Sequence, residues 1–345
     1  MIILGVDAHK RSHTIVAVDG NGKELARHTI GTTSSAHLGG LRWACEQADE
    51  RMWAIEDCRH LSRRLEADLL AAGERIVRVP PKMMAHVRDS ARTYGKSDPI
   101  DALAVARAAL REPDLPVARL DGPDREVRLL VDHRECLVNQ RTAAVNRLRW
   151  RLHELDPDID PSPPSLDRAS NYDKLAARIV DFDGCVARLA RRDIDECRRL
   201  TIEINELEKE IGTHIETQAP TLLAMKGCGV LTAAKILGET GGITRFKSSD
   251  AFARHTGTAP LPVWSSNHQR HRLSRVGNRQ LNAALHRIAV TQIRVHEPAK
   301  TLFERRKANG DGGLEALRVL KRHLANAVYQ ALLTDSKNRS LQPAT

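Results

Sequence analysis

The chain has 345 residues, enough to bury a sizeable core and to hold two or three domains. Its 54 Lys and Arg outnumber its 44 Asp and Glu, giving a net charge of +10 and a pI of about 9.5, so a polyanion is the natural partner. No run is long and apolar enough to span a bilayer, and six scattered cysteines without a CxxC pair argue against a zinc site or a disulfide framework.

Aromatic residues make up only 3% of the chain, which disfavours a surface that grips single strands by stacking bases. The apolar start Met1 to Asp7 has no basic leader and reads as a strand, so a cytoplasmic protein with reduced thiols and no membrane partner is expected.

In chain order, Ile2 to Asp7, Thr14 to Val18 and Glu24 to Ile30 read as an antiparallel meander, the last two joined by the turn Asp19-Gly20-Asn21-Gly22. A helix over about 36–48 leads to a fourth strand, Met52 to Glu56. A second helix over about 61–72 leads to a fifth strand, 75–79, closed by Pro80-Pro81. Three hairpin strands followed by alternating helices and strands imply an α/β fold, a mixed sheet covered by helices.

Asp7 and Glu56 each end an otherwise apolar strand, where an uncompensated carboxylate is costly if buried. Asp98 can cap the helix that follows, Pro99 suits its first turn, and Asp101 lies three residues on, so two acids project from one face of a helix start. Capping and the helix dipole explain such acids taken singly. Four of them converging at one sheet end would suit divalent cations with oxygen ligands that clamp a phosphodiester.

Gly5-Val6-Asp7-Ala8-His9-Lys10, Ala54-Ile55-Glu56 and Lys96-Ser97-Asp98-Pro99-Ile100-Asp101-Ala102 together resemble the D-E-D-D pattern of insertion sequence 110 family transposases. The resemblance implies a ribonuclease H-like, RuvC-like domain over 1–115, with Asp7, Glu56, Asp98 and Asp101 holding Mg²⁺ or Mn²⁺. It also implies a separate C-terminal transposase domain.

Further along, 124–155 and 193–218 carry apolar residues at helical spacing, separated by the breaker 156–164. They read as an antiparallel helical or coiled-coil arm spanning 116–219, which either covers the fold within one molecule or joins subunits. The resemblance favours a homo-oligomer, dimer or tetramer. Lys226-Gly227-Cys228-Gly229 resembles a helix-hairpin-helix turn, and Gly227 and Gly229 would let backbone amides meet a phosphate.

Within the mainly helical part 220–345, the run from Thr256 begins as a loop of turn formers and ends in Arg270-His271-Arg272-Leu273, Arg275 and Arg279, cations suited to phosphates. A serine beside such a cluster can attack phosphorus while guanidinium groups stabilise the developing charge. The run resembles the family's motif of a proline-rich loop, a serine and then a basic Arg-His-Arg-Leu segment. By that resemblance Ser265 is the nucleophile, with Ser266, which stands where the family has glycine, as the alternate. A helix over 278–293 and a last helix over 314–333 follow, with a frayed end from Asp335.

The resemblance thus implies a recombinase that cuts and rejoins donor and target DNA through a serine-linked intermediate, guided by a bridge RNA. The alternative is a metal-dependent junction nuclease in which the four acids activate water and the serine run is structural.

Overall fold

The computed structural model describes residues 1–80, 83, 97–112, 115, 117–119, 121–265, 268–272 and 277–341. The chain divides into two compact units, 1–120 and 121–345.

Unit 1 is built on a five-stranded sheet of β1 (Ile2–Ala8), β2 (Ser12–Val18), β3 (Glu24–Gly31), β4 (Arg51–Glu56) and β5 (Ile76–Val79), in the order β3-β2-β1-β4-β5. β1 pairs antiparallel with β2 and β2 with β3, whereas β1–β4 and β4–β5 are parallel. The parallel pairs need crossovers, supplied by α1 (Ser34–Gln47) and α2 (Arg59–Ala71). This is the ribonuclease H-like mixed sheet anticipated from the sequence.

Alternation along the strands assigns the two faces. Leu4, Val6, Ile15, Trp53, Ile55 and Ile76 pack with Ala44, Leu65 and Leu69 from α1 and α2. Ile3, Val16, Met52, Ala54, Val77 and Val79 pack with Ala102, Val105 and Ala109 of α3 (Asp98–Arg111). β1, covered on both sides, is buried along its length, while edge strand β3 alternates between buried or half-buried and exposed positions.

α3 lies directly on β1. A methyl group at Gly5 would fall on the Ala102 carbonyl oxygen and 2.7 Å from Ala106 Cβ, so glycine on the strand and alanines on the helix permit a close approach of the two backbones. Arg107 Nε donates to the Gly22 carbonyl at 2.9 Å, latching the helix to the β2–β3 turn. Gly22 adopts a positive φ of 78° there, and Asp19 Oδ1 accepts from the backbone N–H of Asn21 and Lys23 at 2.9 Å each.

Unit 2 contains two long helices, α4 (Pro123–Leu155) and α6 (Gly184–Gln218). Val127 and Val131 share a cluster with Ile211 and Ile215, whereas Leu148 and Leu152 share one with Ala190 and Ile194, so the helices run antiparallel. Leu137, Leu200 and Ile204 fill the stretch between, and α5 (Ala169–Arg178) caps the far end through the buried Tyr172 and Leu175. α6 starts nine residues before the periodicity suggested, because Ala187 and Ala190 extend the buried stripe.

The near end holds α7 (Pro220–Leu223), α8 (Val230–Thr240), α9 (Ser249–His255), α10 (Arg279–Val295), α11 (Glu297–Ala308) and α12 (Gly313–Leu341), which share one core. Two sequence expectations are corrected here. The frayed end from Asp335 is instead helix to Leu341: buried Asp335 accepts from the backbone N–H of Thr221 at 2.9 Å and Leu222 at 3.2 Å, and Arg339 donates to the Gln218 carbonyl.

The expected loop after Thr256 contains a hairpin, β6 (Leu261–Ser265) paired antiparallel with β7 (His268–Arg272). Pro262 is tolerated because each strand of a two-stranded ribbon is an edge. Among the described residues, no helix is long and apolar enough to cross a membrane.

The packing at Gly5 generates a prediction. Gly5→Ala must displace α3 and should lower stability by about 3 kcal/mol, whereas Gly20→Ala, whose methyl group meets nothing within 4 Å, should stay within about 0.5 kcal/mol. Urea denaturation followed by circular dichroism tests both; equal stability of the two variants would contradict the contact.

Candidate active site

Ladder register brings the first two acids to one face. Val6 pairs with Ile55, so Asp7 and Glu56 come one step later on adjacent parallel strands, on the face that carries α3. Asp7 is 5% exposed and Glu56 is half-buried. Both carboxylates act on the Cys58 thiol, whose pKa is pushed up to about 11 by burial first and then by the charges of Glu56 and Asp7.

α3 supplies the other two. Its N-cap is Ser97, not Asp98: Asp101 N–H bonds the Ser97 carbonyl at 3.0 Å, and Asp98 and Asp101 occupy the first turn with Pro99 between them. With Pro99 fitting the first turn, the helix starts one residue earlier than a capping role for Asp98 requires. Asp98 thereby points outward, 53% exposed at its side chain, while Asp101 is 6% exposed. Because α3 crosses β1 at Gly5, this first turn lies over the end of β1, and the charges of Asp101 and Asp98 both act on Asp7.

His9 completes the group and was not among the residues singled out from the sequence. Its Nε2 lies 2.9 Å from Asp7 Oδ2 and 3.4 Å from Asp98 Oδ1, and Asp7, His9 and Asp98 each offer a ligand atom within 4.8 Å of the others. The signal was the Asp-x-His spacing at a strand end, which sends both side chains to one side.

The electrostatics of the group are frustrated. Burial, then the Asp101 and Asp98 charges, raise the Asp7 pKa above its ordinary value against the lowering effect of His9. For His9, burial lowers the pKa, but the hydrogen bond its ring N–H donates to Asp7 and the three carboxylate charges outweigh it and hold the imidazole above its usual value. The carboxylate oxygens are donors that suit a hard divalent cation, and such a cation would relieve the crowding of negative charge that disfavours ionised Asp7.

In unit 2, Ser265 is the last residue of β6, in register with His268, and Arg270 and Arg272 lie on β7 opposite Val263 and Leu261. Ser266 and Arg275 lie outside the described residues. Backbone contact ties the root of this hairpin down. Gly277 sits so close to Gly257 that a methyl group would overlap its backbone and stand 2.9 Å from the His255 carbonyl, and Asn278 N–H bonds that carbonyl at 2.6 Å. Asn278 also caps α10, accepting from the N–H of Gln280 and Leu281, while its Nδ2 donates to Glu239 at 2.7 Å. Arg279 is exposed at the first turn of α10.

Gly227 has a positive φ of 81°, and a methyl group added to it would stand 3.3 Å from Ile288, Thr291 and Gln292 of α10; Gly229 is the N-cap of α8, where an added methyl group would meet nothing within 4 Å. Gln292 Nε2 holds the turn by donating to the Lys226 carbonyl at 2.7 Å.

A model of DEDD transposases of the IS110 type, described as Transposase, matches residues 4–157, and one described as Transposase IS116/IS110/IS902 family matches 219–304. The chain is 27% identical to the 42 kDa protein of insertion element IS900 from Mycobacterium paratuberculosis, covering 96% of this chain and 95% of that one. It is 25% identical to the 44.8 kDa protein of insertion element IS116 from Streptomyces clavuligerus, covering 97% and 95%. Among solved structures, T. thermophilus RuvC in complex with a Holliday junction substrate matches at 15% identity and a TM-score of 0.26, over 32% of this chain and 94% of that one.

The Asp7 shift has a signed consequence. A carboxyl whose folded pKa lies above its unfolded value favours the fold while protonated, and that contribution is lost as pH rises through the folded pKa. At pH 7 with EDTA, Asp7→Asn should therefore melt above the parent. With saturating Mg²⁺ the parent should gain several degrees, on the order of 3 kcal/mol of linkage at a hundredfold excess over Kd, and Asp7→Asn should not. Calorimetry of both proteins with and without Mg²⁺ decides; a parent unmoved by the metal would contradict the reading.

Proposed function

Because the chain belongs to the IS110 family of transposases, we propose that it moves its element by cutting and rejoining donor and target DNA through a serine-linked intermediate, with divalent-metal assistance. The observation that supports this most is the meeting of Asp7 and Glu56 on one sheet face beneath the helix turn that carries Asp98 and Asp101.

In this reading Asp7, Glu56, Asp98 and Asp101 hold Mg²⁺, or Mn²⁺ in its place, with His9 at the edge of the group. The bound metal supplies Lewis acidity at the scissile phosphate and charge neutralisation at the leaving oxygen. The Ser265 hydroxyl attacks phosphorus; the P–O bond to the 3′ oxygen breaks as the bond to Ser265 Oγ forms. The serine proton is lost and the leaving oxygen gains one, so a phosphoserine ester and a free 3′ hydroxyl result. A 3′ hydroxyl of the partner strand then attacks that ester, restoring the serine and a phosphodiester.

Ser266 is the alternate nucleophile. Arg270, Arg272, Arg275 and Arg279 contribute positive charge near the phosphate, and the Gly227–Gly229 turn offers a helix start to a neighbouring one. Labour is divided between a metal-binding part over 1–115, an arm over 116–219 that joins subunits into a dimer or tetramer, and a serine-bearing part over 220–345. A bridge RNA, carried over from the family, pairs with donor and target, and the net charge of +10 suits both polyanions. The protein acts in the cytoplasm, at the nucleoid.

The test uses supercoiled DNA carrying the element junction, the RNA transcribed from its noncoding flank, and Mg²⁺. A covalent protein–DNA adduct should survive denaturation and map to the peptide containing Ser265. Ser265→Ala should remove it and reduce strand transfer about 10⁴-fold or more, and an adduct mapping to Ser266 would exchange the two roles. Undiminished cutting by Ser265→Ala without any adduct would favour water-mediated cleavage instead.

A further inference from the structure

A cavity of about 300 Å³ opens in unit 2 beside the root of the β6–β7 hairpin. Thr258 and Pro260, on the segment that leads into β6, form one wall, and Arg318, Lys321 and Arg322 of α12 form another. Arg306 also lines it, and Glu315 is the acid among its lining residues.

Two of these cations are already matched. Arg322 pairs with Asp250 at 2.5 Å and Arg306 with Asp311 at 2.5 Å. Arg318 and Lys321 have no acidic partner among the described residues, Glu315 included. Lys321 is 8% exposed, and its ammonium donates to a neutral acceptor, Asn282 Oδ1, at 2.7 Å. An ammonium carries three donors, and one bond to an amide leaves a buried positive charge uncompensated. Burial first, and then the neighbouring Arg318 charge, push its pKa below that of an ordinary lysine. Such a pair, the buried Lys321 and the exposed Arg318 lining one cavity, is what a phosphate anion would neutralise.

We propose that this cavity binds a backbone phosphate of a nucleic-acid strand, with Lys321 and Arg318 donating to its non-bridging oxygens. The inference rests on the transposase reading and adds a phosphate site outside the basic residues of the serine run. It also couples binding to the hairpin. Asn282, which holds Lys321 through its Oδ1, donates from Nδ2 to the Thr256 carbonyl at 2.9 Å, and Thr256 Oγ1 bonds Thr258 Oγ1 at 2.9 Å. A phosphate drawn to Lys321 is therefore connected, through one amide, to the backbone from which β6 departs. Lys321 and Asn282 act as positioning residues for the strand that ends at Ser265.

The test is a binding measurement on the full chain carrying Asp7→Asn, so that cleavage plays no part and loss of the serine adduct leaves the readout intact. Fluorescence anisotropy follows a labelled single-stranded 20-nucleotide DNA, the RNA of the same sequence, and competition by inorganic phosphate, across a salt series. Arg318→Glu and Lys321→Met should each weaken polymer binding several-fold and make the slope of log K against log salt shallower by about 0.7 for each phosphate no longer neutralised. An effect on DNA alone, RNA alone or both supports the site and names the strand it holds.

Because Lys321→Met alters a buried position, acetylation of Lys321 in the chain altered only at Asp7→Asn, read by mass spectrometry, gives a second measure: the 20-mer should protect it. Protection by inorganic phosphate but not by either polymer would identify a free-anion site and overturn the proposal. Unchanged affinity and salt slope in Arg318→Glu, with Lys321 equally reactive with and without polymer, would overturn it as well.

Discussion

The contact between Gly5 of β1 and the Ala102–Ala106 edge of α3 is the constraint on which unit 1 depends. A larger side chain on either surface would lift the helix, and the carboxylates on its first turn would move away from those on the strands. Close packing here thus sets where the carboxylates stand as well as how stable the unit is. The same contact sets the height of Asp98 and Asp101 over the sheet and keeps Asp101 buried while Asp98 reaches His9. The Arg107 bond to the Gly22 carbonyl fixes the helix from its other side, so its first turn cannot swing freely about the glycine.

The acidic group is preorganised at an energetic disadvantage. Asp7, nearly enclosed, faces two further carboxylates and has one half-exposed imidazole to balance them. Natural folds hold such an arrangement where a ligand resolves it, because unmatched carboxylates in a low-dielectric setting destabilise the state that contains them. His9 Nε2 stands within reach of both Asp7 and Asp98, so the imidazole is the counter-charge at hand whenever it is protonated, and a divalent cation would take over that task. In unit 2 the root of the hairpin is tethered just as tightly, with Gly277 against Gly257 and Asn278 bonded to the His255 carbonyl.

Much of this was legible in the sequence for identifiable reasons. The meander, the turn at Asp19 to Gly22 and the alternating elements after it follow from period-two patterns and turn residues. Asp7 and Glu56 could be paired because both end buried strands, and Asp98 and Asp101 because three residues on a helix face one way. What stayed hidden depended on partners distant in the chain. The first turn of α3 begins at Asp98 with Ser97 as cap, so Asp98 is released toward His9. Asp335 keeps the last helix ordered by bonding amides more than a hundred residues away, a reason no local pattern carries. The β6–β7 segment reads as loop in the sequence because Pro260 and Pro262 dominate the local signal, although a two-stranded ribbon has only edges for a proline to occupy.

Iron-directed backbone cleavage tests most directly whether strand-borne and helix-borne carboxylates share one cation. With Fe²⁺ in place of Mg²⁺ and ascorbate present, radicals released at the bound metal should cut the chain near Asp7, Glu56 and Asp98 together. Excess Mg²⁺ should suppress all three cuts in parallel. Cuts at only one of these segments, or at acidic stretches of α4 and α6 with none near Asp7, would contradict a common site.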